Sequence, residues 1–257
     1  MTNPEVVVHR DGDLLAAAAA ARLVTRIADA QAAHGFASVV LTGGRTGTAV
    51  LDHLNRSAAR DAVDWSRVDL FWGDERFLPS GHADRNETQA RAALLDHVPL
   101  DPSRVHVMEP SDGKFGDDPE AAAEAYASLL ASLAGPESAV PAFDVCMLGV
   151  GEEGHVASVF PDSPAVHEEE RTVVAVRDCP KPPPTRVSLT LASVRAAQEV
   201  WLMTTGEAKA EAVATALDGA GEVQLPAAGA VGRHRTLWLL DSSAASAVPA
   251  SFRPPLA

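Results

Sequence analysis

Short apolar runs alternate with helical patterns along the whole chain, and this alternation limits the folds that are available to it. The predicted strands cover residues 6–8, 37–41, 68–72, 105–108, 145–150, 172–176, 186–191, 200–204 and 236–240. The predicted helices cover residues 14–33, 48–55, 86–97, 119–133 and 208–217. Strands that alternate with helices are typical of βαβ units. We therefore expect an α/β fold whose mainly parallel sheet is flanked by helices.

The chain has 257 residues and contains neither an internal repeat nor a linker long enough to require two domains. We expect one Rossmann-like domain that spans residues 1–257. The segment after about residue 242 is rich in small side chains, and we expect its end to be loose. A sheet of this class binds ligands at the carboxyl ends of its strands, where the order of the strands reverses.

The formal net charge of −14 argues against non-specific binding to nucleic acid or to anionic membranes. An anionic ligand would need a local cationic pocket. The alanine run at residues 16–21 lies between aspartates and arginines, which indicates an amphipathic helix and not a signal peptide. No apolar stretch reaches the ~18 residues of a membrane span. We expect a cytoplasmic protein with no nucleic-acid or membrane partner.

The only two cysteines are Cys146 and Cys179, and Cys146 lies inside an apolar strand. Two cysteines make neither a disulfide framework nor a metal-ligand cluster. We expect buried, structural thiols in a reducing compartment.

A glycine-rich turn with two carboxylates and a histidine follows the strand at residues 145–150. Its residues are Gly149, Gly151, Glu152, Glu153, Gly154 and His155. A histidine in such a loop can exchange protons with a substrate near neutral pH. Alternatively, the turn only exposes polar residues to water.

Three other strand ends carry unusual residues. Residues 42–47 form a glycine turn before a helix, where backbone N–H groups can hold a phosphate, although a simple tight turn is equally consistent. Asp74, Glu75 and Arg76 follow the next strand; such charges are most often a solvated loop, but Arg76 could bind a phosphate oxygen. Lys181 and Arg186 lie in and after the proline loop at residues 180–184, and Lys209 follows Gly206. Together these ends predict a pocket for a small phosphorylated molecule.

Segments along nearly the whole chain resemble the 6-phosphogluconolactonase family and occur in that family's order. The matching segments are residues 41–44, 72–76, 82–86, 149–161, 183–190, 225–227 and 237–241. The related glucosamine-6-phosphate deaminases share the architecture, so the resemblance implies a deaminase-like α/β fold.

The resemblance implies hydrolysis of 6-phospho-D-glucono-1,5-lactone to 6-phospho-D-gluconate, the second step of the oxidative pentose phosphate pathway, without metal or organic cofactor. His155 would be the general base that activates water, with Glu153 and Asp74 as further members of the catalytic set. The residues that match the family's phosphate-binding positions would be Gly43, Gly44, Thr46, Arg76 and Arg186, with Lys209 and Arg45 as further candidates. The partner would be a phosphorylated sugar lactone, and we expect a monomer or small homo-oligomer.

The sequence departs from the family pattern at three places. Glu153 stands where the family commonly has aspartate, and residues 45–47 differ from the usual Ser-Thr-Pro, so Arg45 points either to the phosphate or outward. The deaminases typically have a glutamate five residues after the histidine, where this chain has Phe160. Two alternatives stay open: a glucosamine-6-phosphate deaminase and isomerase with Asp74 as the proton-abstracting base, and a non-catalytic sugar-phosphate-binding module.

Overall fold

Nine strands and seven α-helices form the fold in a computed structural model, which describes residues 3–252. The strands are β1 (Glu5–His9), β2 (Ala37–Leu41), β3 (Val68–Trp72), β4 (Asp74–Arg76), β5 (Val145–Gly149), β6 (Val173–Val176), β7 (Arg186–Leu189), β8 (Glu199–Thr204) and β9 (Arg235–Asp241). The helices are α1 (Gly12–His34), α2 (Gly44–Arg56), α3 (Asn86–Ala93), α4 (Pro119–Leu133), α5 (Leu191–Val194), α6 (Ala210–Leu217) and α7 (Pro226–Gly229). Short 3-10 helices cover Ala58–Ala62, Trp65–Arg67, Leu95–His97, Pro102–Arg104, Pro164–His167, Glu207–Lys209 and Ala250–Phe252.

Six strands form a parallel sheet in the order β1-β9-β8-β5-β2-β3. Strand β3 follows β2 toward one edge of the sheet, whereas β8 and β9 follow β5 toward the other edge. The order therefore reverses between β2 and β5, where the loops after the two strands separate and leave a crevice. The predicted mainly parallel sheet with flanking helices is confirmed.

The sheet is buried on both faces because its strands carry apolar side chains on both sides. Val39 faces a core formed with α1, α2 and α3, and the next residue, Val40, faces a second core that includes α4 and α6. Strands buried on both faces have continuous apolar sequences. This is why the runs that become β2 and β5 were recognisable in the sequence.

A second sheet of three antiparallel strands, in the order β4-β7-β6, lies beside the first. Glu75 of β4 pairs with Val187 of β7. The expectation of a solvated loop at residues 74–76 is therefore wrong. Asp74 and Glu75 are only 6% and 2% exposed, because the strand turns them toward internal partners.

Helix ends follow their capping residues. The side chain of Asp11 accepts a hydrogen bond from Leu14 N at 2.9 Å at the start of α1, and Gly35 (φ +90°) ends the helix where the sequence predicted. Helix α2 begins earlier than predicted, at Gly44, so Arg45 and Thr46 belong to its first turn and not to a preceding loop.

The predicted strand at residues 105–108 is wrong. Only an isolated bridge joins Val105 to Leu70 of β3. Side chains take the carbonyls that a strand ladder would use, since Tyr126 Oη donates to His106 O at 3.1 Å and Arg85 Nη2 donates to Met108 O at 2.8 Å. The segment is buried without being a strand.

The predicted helix at residues 86–97 ends at Ala93 and continues as the 3-10 helix Leu95–His97. Ala244 and Val248 are buried, so the start of the segment after residue 242 is packed; residues 253–257 lie outside the described residues. Cys146 and Cys179 are buried free thiols, as predicted. Within residues 3–252, no helix has both the length and the apolar character needed to cross a membrane.

Candidate active site

A cavity of about 300 Å³ opens at the crevice between β2 and β5. The elements around it are the start of α2, strand β4, the loop after β5, the proline loop before β7, and Lys209. Of the ten site residues that the sequence indicated, nine line the cavity: Gly43, Gly44, Arg45, Thr46, Asp74, Arg76, His155, Arg186 and Lys209. The tenth, Glu153, lies behind His155. Residues from five separate segments thus converge on one site.

His155 is held on two sides. Its Nδ1 lies 3.3 Å from Glu153 Oε1, close enough for charge attraction, although the two atoms are not aligned as a hydrogen bond and Nδ1 has no hydrogen-bond partner within the described residues. Its ring stacks on Phe160 with centroids 4.3 Å apart and planes at 23°. The carboxylate favours a proton on Nδ1, which leaves Nε2 as the acceptor on the other side of the ring.

Two glycines give the loop after β5 its shape. A Cβ on Gly151 would lie 1.9 Å from His155 Nδ1, so only glycine leaves room for the imidazole. Gly154 has φ +84°, in the left-handed region that favours glycine, and its carbonyl accepts a hydrogen bond from Ala227 N. The glycine spacing read from the sequence thus serves to seat the histidine ring.

Burial and neighbouring charges shift the pKa values of His155 and Glu153 in opposite directions. Burial lowers the pKa of His155 below its ordinary value, although the carboxylate of Glu153 works against that shift. Burial alone would raise the pKa of Glu153, but the hydrogen bond from Lys181 holds that pKa below its ordinary value. At neutral pH this arrangement provides an unprotonated imidazole beside an ionised carboxylate, which suits a general base.

The proline loop brings Lys181 to the site. Its Nζ donates to Glu153 Oε2 at 2.8 Å. The guanidinium of Arg186 donates to three carbonyls of the same loop, those of Lys181, Pro182 and Pro183, at 3.1 to 3.2 Å. Arg186 was predicted to bind phosphate; the structure places it at the cavity wall, with most of its donors already engaged in holding the loop.

Asp74 is a buried hub. It accepts a hydrogen bond from Ser158 Oγ at 2.7 Å, its carbonyl accepts one from Asn86 Nδ2 at 2.8 Å, and its carboxylate lies 3.7 Å from Arg186 Nη1. These contacts tie β4 to the loop after β5 and to β7. They describe a carboxylate that organises the site through its neighbours.

Glu75, next to Asp74, stabilises the start of α3. Its carboxylate accepts hydrogen bonds from the backbone N–H groups of Arg76, Asn86 and Glu87 at 2.7 to 2.9 Å. Burial raises the pKa of Glu75, against the effect of Arg85, whose Nη2 lies 3.8 Å away. Glu75 therefore supports the wall of the cavity from behind.

Five cations surround the cavity of this otherwise acidic chain: Arg45, Arg76, Lys181, Arg186 and Lys209. Burial lowers the pKa of Lys209, and the positive charges of Lys181 and Arg45 lower it further. In residues 3–252, Nε of Arg76 is buried and has no hydrogen-bond partner, while Nη1 donates to Asp84 O at 2.9 Å. Cations that crowd one another in this way favour an anionic ligand between them.

The first turn of α2 adds backbone donors to these charges. Its N-cap residue is Gly43, so no side chain covers the first N–H groups, and Gly44 has φ +75°. A Cβ on Gly43 would lie 1.8 Å from Asn86 Oδ1, so the glycine lets the Asn86 amide pack against the turn. An open helix N-terminus of this kind binds phosphate readily.

Four residues make contacts within the site that the sequence did not predict: Lys181, Phe160, Asn86 and Ser158. Lys181 was noted only as a cation near the proline loop. Its pairing with Glu153, 28 positions earlier, depends on tertiary structure. Asn86 carried one usable signal, because it lies in a segment that matches the family pattern.

Comparisons with known proteins identify the family to which this chain is similar. The model of the family glucosamine-6-phosphate isomerases/6-phosphogluconolactonase matches residues 10–238. A 6-phosphogluconolactonase of Streptomyces coelicolor is 65% identical over 254 residues, which cover 98% of this chain and 97% of that protein. One from Mycobacterium tuberculosis is 53% identical over 244 residues, with coverage of 95% and 98%.

Solved structures give the same fold. A 6-phosphogluconolactonase from Trypanosoma brucei superposes with a TM-score of 0.80 at 28% identity, covering 97% of this chain and all of that one. A monomeric glucosamine-6-phosphate deaminase superposes with a TM-score of 0.77 at 21% identity, covering 95% and 99%. At that identity, the likeness to the deaminase concerns the fold alone.

Proposed function

The chain belongs to the family of glucosamine-6-phosphate isomerases and 6-phosphogluconolactonases, and from this membership and the geometry of the cavity we propose that it hydrolyses 6-phospho-D-glucono-1,5-lactone to 6-phospho-D-gluconate. This reaction is the second step of the oxidative pentose phosphate pathway. The observation that carries the proposal is the presence, in one cavity, of several cations and of a histidine whose Nδ1 lies 3.3 Å from a carboxylate.

The phosphate group of the substrate binds at the cationic end. The backbone N–H groups of Gly44, Arg45 and Thr46 at the start of α2 receive its oxygens, and Arg76 and Lys209 neutralise its charge. Burial lowers the pKa of Lys209, and the positive charges of Lys181 and Arg45 lower it further; the repulsion between these cations supports the assignment, because a dianion would relieve it. Binding at this end fixes the sugar, so that its lactone carbon reaches His155.

His155 is the general base of the proposed reaction. Its Nε2 takes a proton from water as the water oxygen attacks carbon 1 of the lactone. The tetrahedral intermediate then collapses, the bond between carbon 1 and the ring oxygen breaks, and the imidazolium returns the proton to that oxygen. Glu153 stabilises the imidazolium that exists between these two proton transfers. Charge-backed general-base catalysis of this kind contributes about 10²- to 10⁴-fold.

Phe160 speaks against deamination. A deaminase would need a carboxylate at this position, whereas Phe160 is 4% exposed and stacks on the imidazole. Asp74, the base that a deaminase would use, is engaged with Ser158 and Arg186. The site therefore favours hydrolysis of an ester over opening of an amino sugar.

A cytoplasmic location is also part of the proposal, supported by two buried free thiols, which are typical of a reducing compartment. The proposed assembly is a monomer or small homo-oligomer.

The test is hydrolysis of freshly prepared 6-phosphogluconolactone, in which a pH-stat monitors the acid that is released. The lactone opens spontaneously, so the protein must exceed that background. We expect a rate that rises in proportion to protein concentration. A rate equal to the background would overturn the proposal, and ammonia release from glucosamine 6-phosphate would favour the deaminase instead.

A further inference from the structure

One carboxylate connects a lysine to the proposed general base. Glu153 presents Oε2 to Lys181 Nζ at 2.8 Å and Oε1 to His155 Nδ1 at 3.3 Å. Glu153 and His155 lie in the loop after β5, whereas Lys181 belongs to the proline loop before β7. Both Lys181 and His155 line the cavity, and Glu153 contacts the lysine through one carboxylate oxygen and the histidine through the other.

The backbone of Lys181 is anchored. Arg186 donates to its carbonyl oxygen at 3.1 Å and to the next two carbonyls of the loop at 3.2 Å. Arg186 is itself 4% exposed and faces the Asp74 carboxylate at 3.7 Å. Because β7 also pairs with β4, the base of the lysine side chain is fixed to the small sheet. Because the backbone of Lys181 is anchored, its flexible side chain can hold the Glu153 carboxylate in place.

Glu153 needs such a second contact. Its side chain is long and 33% exposed. A long, part-exposed glutamate retains several rotamers, and ordering it costs conformational entropy. Its contact with His155 is long and poorly aligned, so that contact alone is a weak restraint. The charge-assisted hydrogen bond from Lys181 is the stronger one.

We propose that Lys181 is a positioning residue for this site: it holds the Glu153 carboxylate against Nδ1 of His155 and thereby orients the imidazole. The inference rests on the proposed lactone hydrolysis. Lys181 would act through Glu153 and not by contact with the reacting atoms. Outer hydrogen-bond partners of this kind typically change activity about 10- to 100-fold when removed.

Other charged groups face His155 and must be considered in any titration. They are Glu152 and Glu153 from its own loop, Asp74 and Arg76 from β4, Lys181 and Arg186 from the proline loop and β7, Arg45 from α2, and Lys209. Glu153 and Asp74 raise the pKa of His155, and Lys181 lowers it, against a background set by burial. The test therefore measures how much Glu153 raises the pKa of His155, once with Lys181 present and once with it replaced. The direct effect of the lysine charge on that pKa cancels in this comparison.

The kinetic arm is a double-mutant cycle of Lys181→Met, Glu153→Gln and the double variant, assayed on the lactone. We expect Lys181→Met to lower kcat about tenfold with little change in KM, and to lower it far less when Glu153 is already Gln. Lys181→Arg, which keeps a cation, should recover much of the loss. Independent, multiplying losses would overturn the proposal, as would a loss confined to KM, which would make Lys181 a substrate-binding residue.

The second arm needs no turnover. The pKa of His155 is measured by NMR in the same four proteins, and its signal is the one of nine histidine signals that His155→Ala removes. We expect Glu153→Gln to lower this pKa in the parent protein, and to lower it much less in Lys181→Met, where the carboxylate has already moved away. Equal shifts in both backgrounds would overturn the proposal. If hydrolysis itself were absent, this arm would still report on the positioning, so the two failures are distinguishable.

Discussion

Replacing Gly151 by alanine tests how the site seats its histidine. The added Cβ would lie 1.9 Å from Nδ1 and 2.2 Å from Cε1 of His155, and 2.8 Å from Glu153 Oε2, whereas ordinary contact begins at 3.4 Å. The ring must therefore move by about 1.5 Å (3.4 minus 1.9) or the loop must shift by as much. A misplacement of ~1 Å at a reacting group can cost about 100-fold in rate. We expect Gly151→Ala to lower kcat on the lactone by about that factor or more.

The proposed phosphate-binding residues belong to other elements, so binding of 6-phosphogluconate to Gly151→Ala, measured by calorimetry, should change little. Gly135→Ala is the matched control, because a Cβ there meets nothing within 4 Å. It should hydrolyse the lactone at the parent rate and unfold at the same or a slightly higher urea concentration. A Gly151→Ala protein with kcat within about threefold of the parent would refute the view that the imidazole position limits the rate.

Two further predictions concern pH and stability. Burial lowers the pKa of His155, and a general base must be unprotonated to act. The value of kcat/KM should therefore stay high as pH falls below the ordinary histidine pKa of about 6.5, and should drop only as pH passes the lowered pKa. A pH profile in which kcat/KM already falls above pH 6.5 would contradict this. Asp74→Asn leaves the buried Arg186 without its carboxylate, so we expect a loss of about 3 kcal/mol in the free energy of urea unfolding. The control, Asp61→Asn, removes an exposed carboxylate beside Arg60 and should change that free energy little. Equal losses of unfolding free energy in the two variants would contradict the stabilising role of the buried Asp74.

The sequence predicted those parts of the fold that local chemistry determines. The runs that became β2 and β3 were bounded correctly, because most of their residues are apolar and buried, and α4 was bounded correctly by Pro119. Strands β6 and β7 of the small second sheet were predicted, but β4 and the antiparallel pairing of the three strands were missed. Strand β4 consists of three charged residues, and only pairing with β7, more than a hundred residues later, makes them a strand. No local pattern encodes such a pairing.

The candidate site was predictable at the level of which strand ends converge. That convergence follows from a parallel sheet, and the family resemblance supplied the assignment of His155 as base, which stays a prediction. The internal contacts were not predictable. The bond from Lys181 to Glu153 and the packing of Asn86 against Gly43 depend on loop conformations that only the folded chain defines. Phe160 was read as a discriminator against deaminases, and its second property, stacking on the imidazole, appears only in three dimensions.

The most direct measurement compares the parent protein with His155→Ala in two assays on the same preparation, lactone hydrolysis above the spontaneous background and calorimetric binding of 6-phosphogluconate. We predict that His155→Ala loses about 100-fold or more of the hydrolytic rate and still binds the product, because the proposed phosphate site consists of α2, Arg76 and Lys209. A variant that hydrolyses the lactone at the parent rate would contradict the assignment of His155 as the general base.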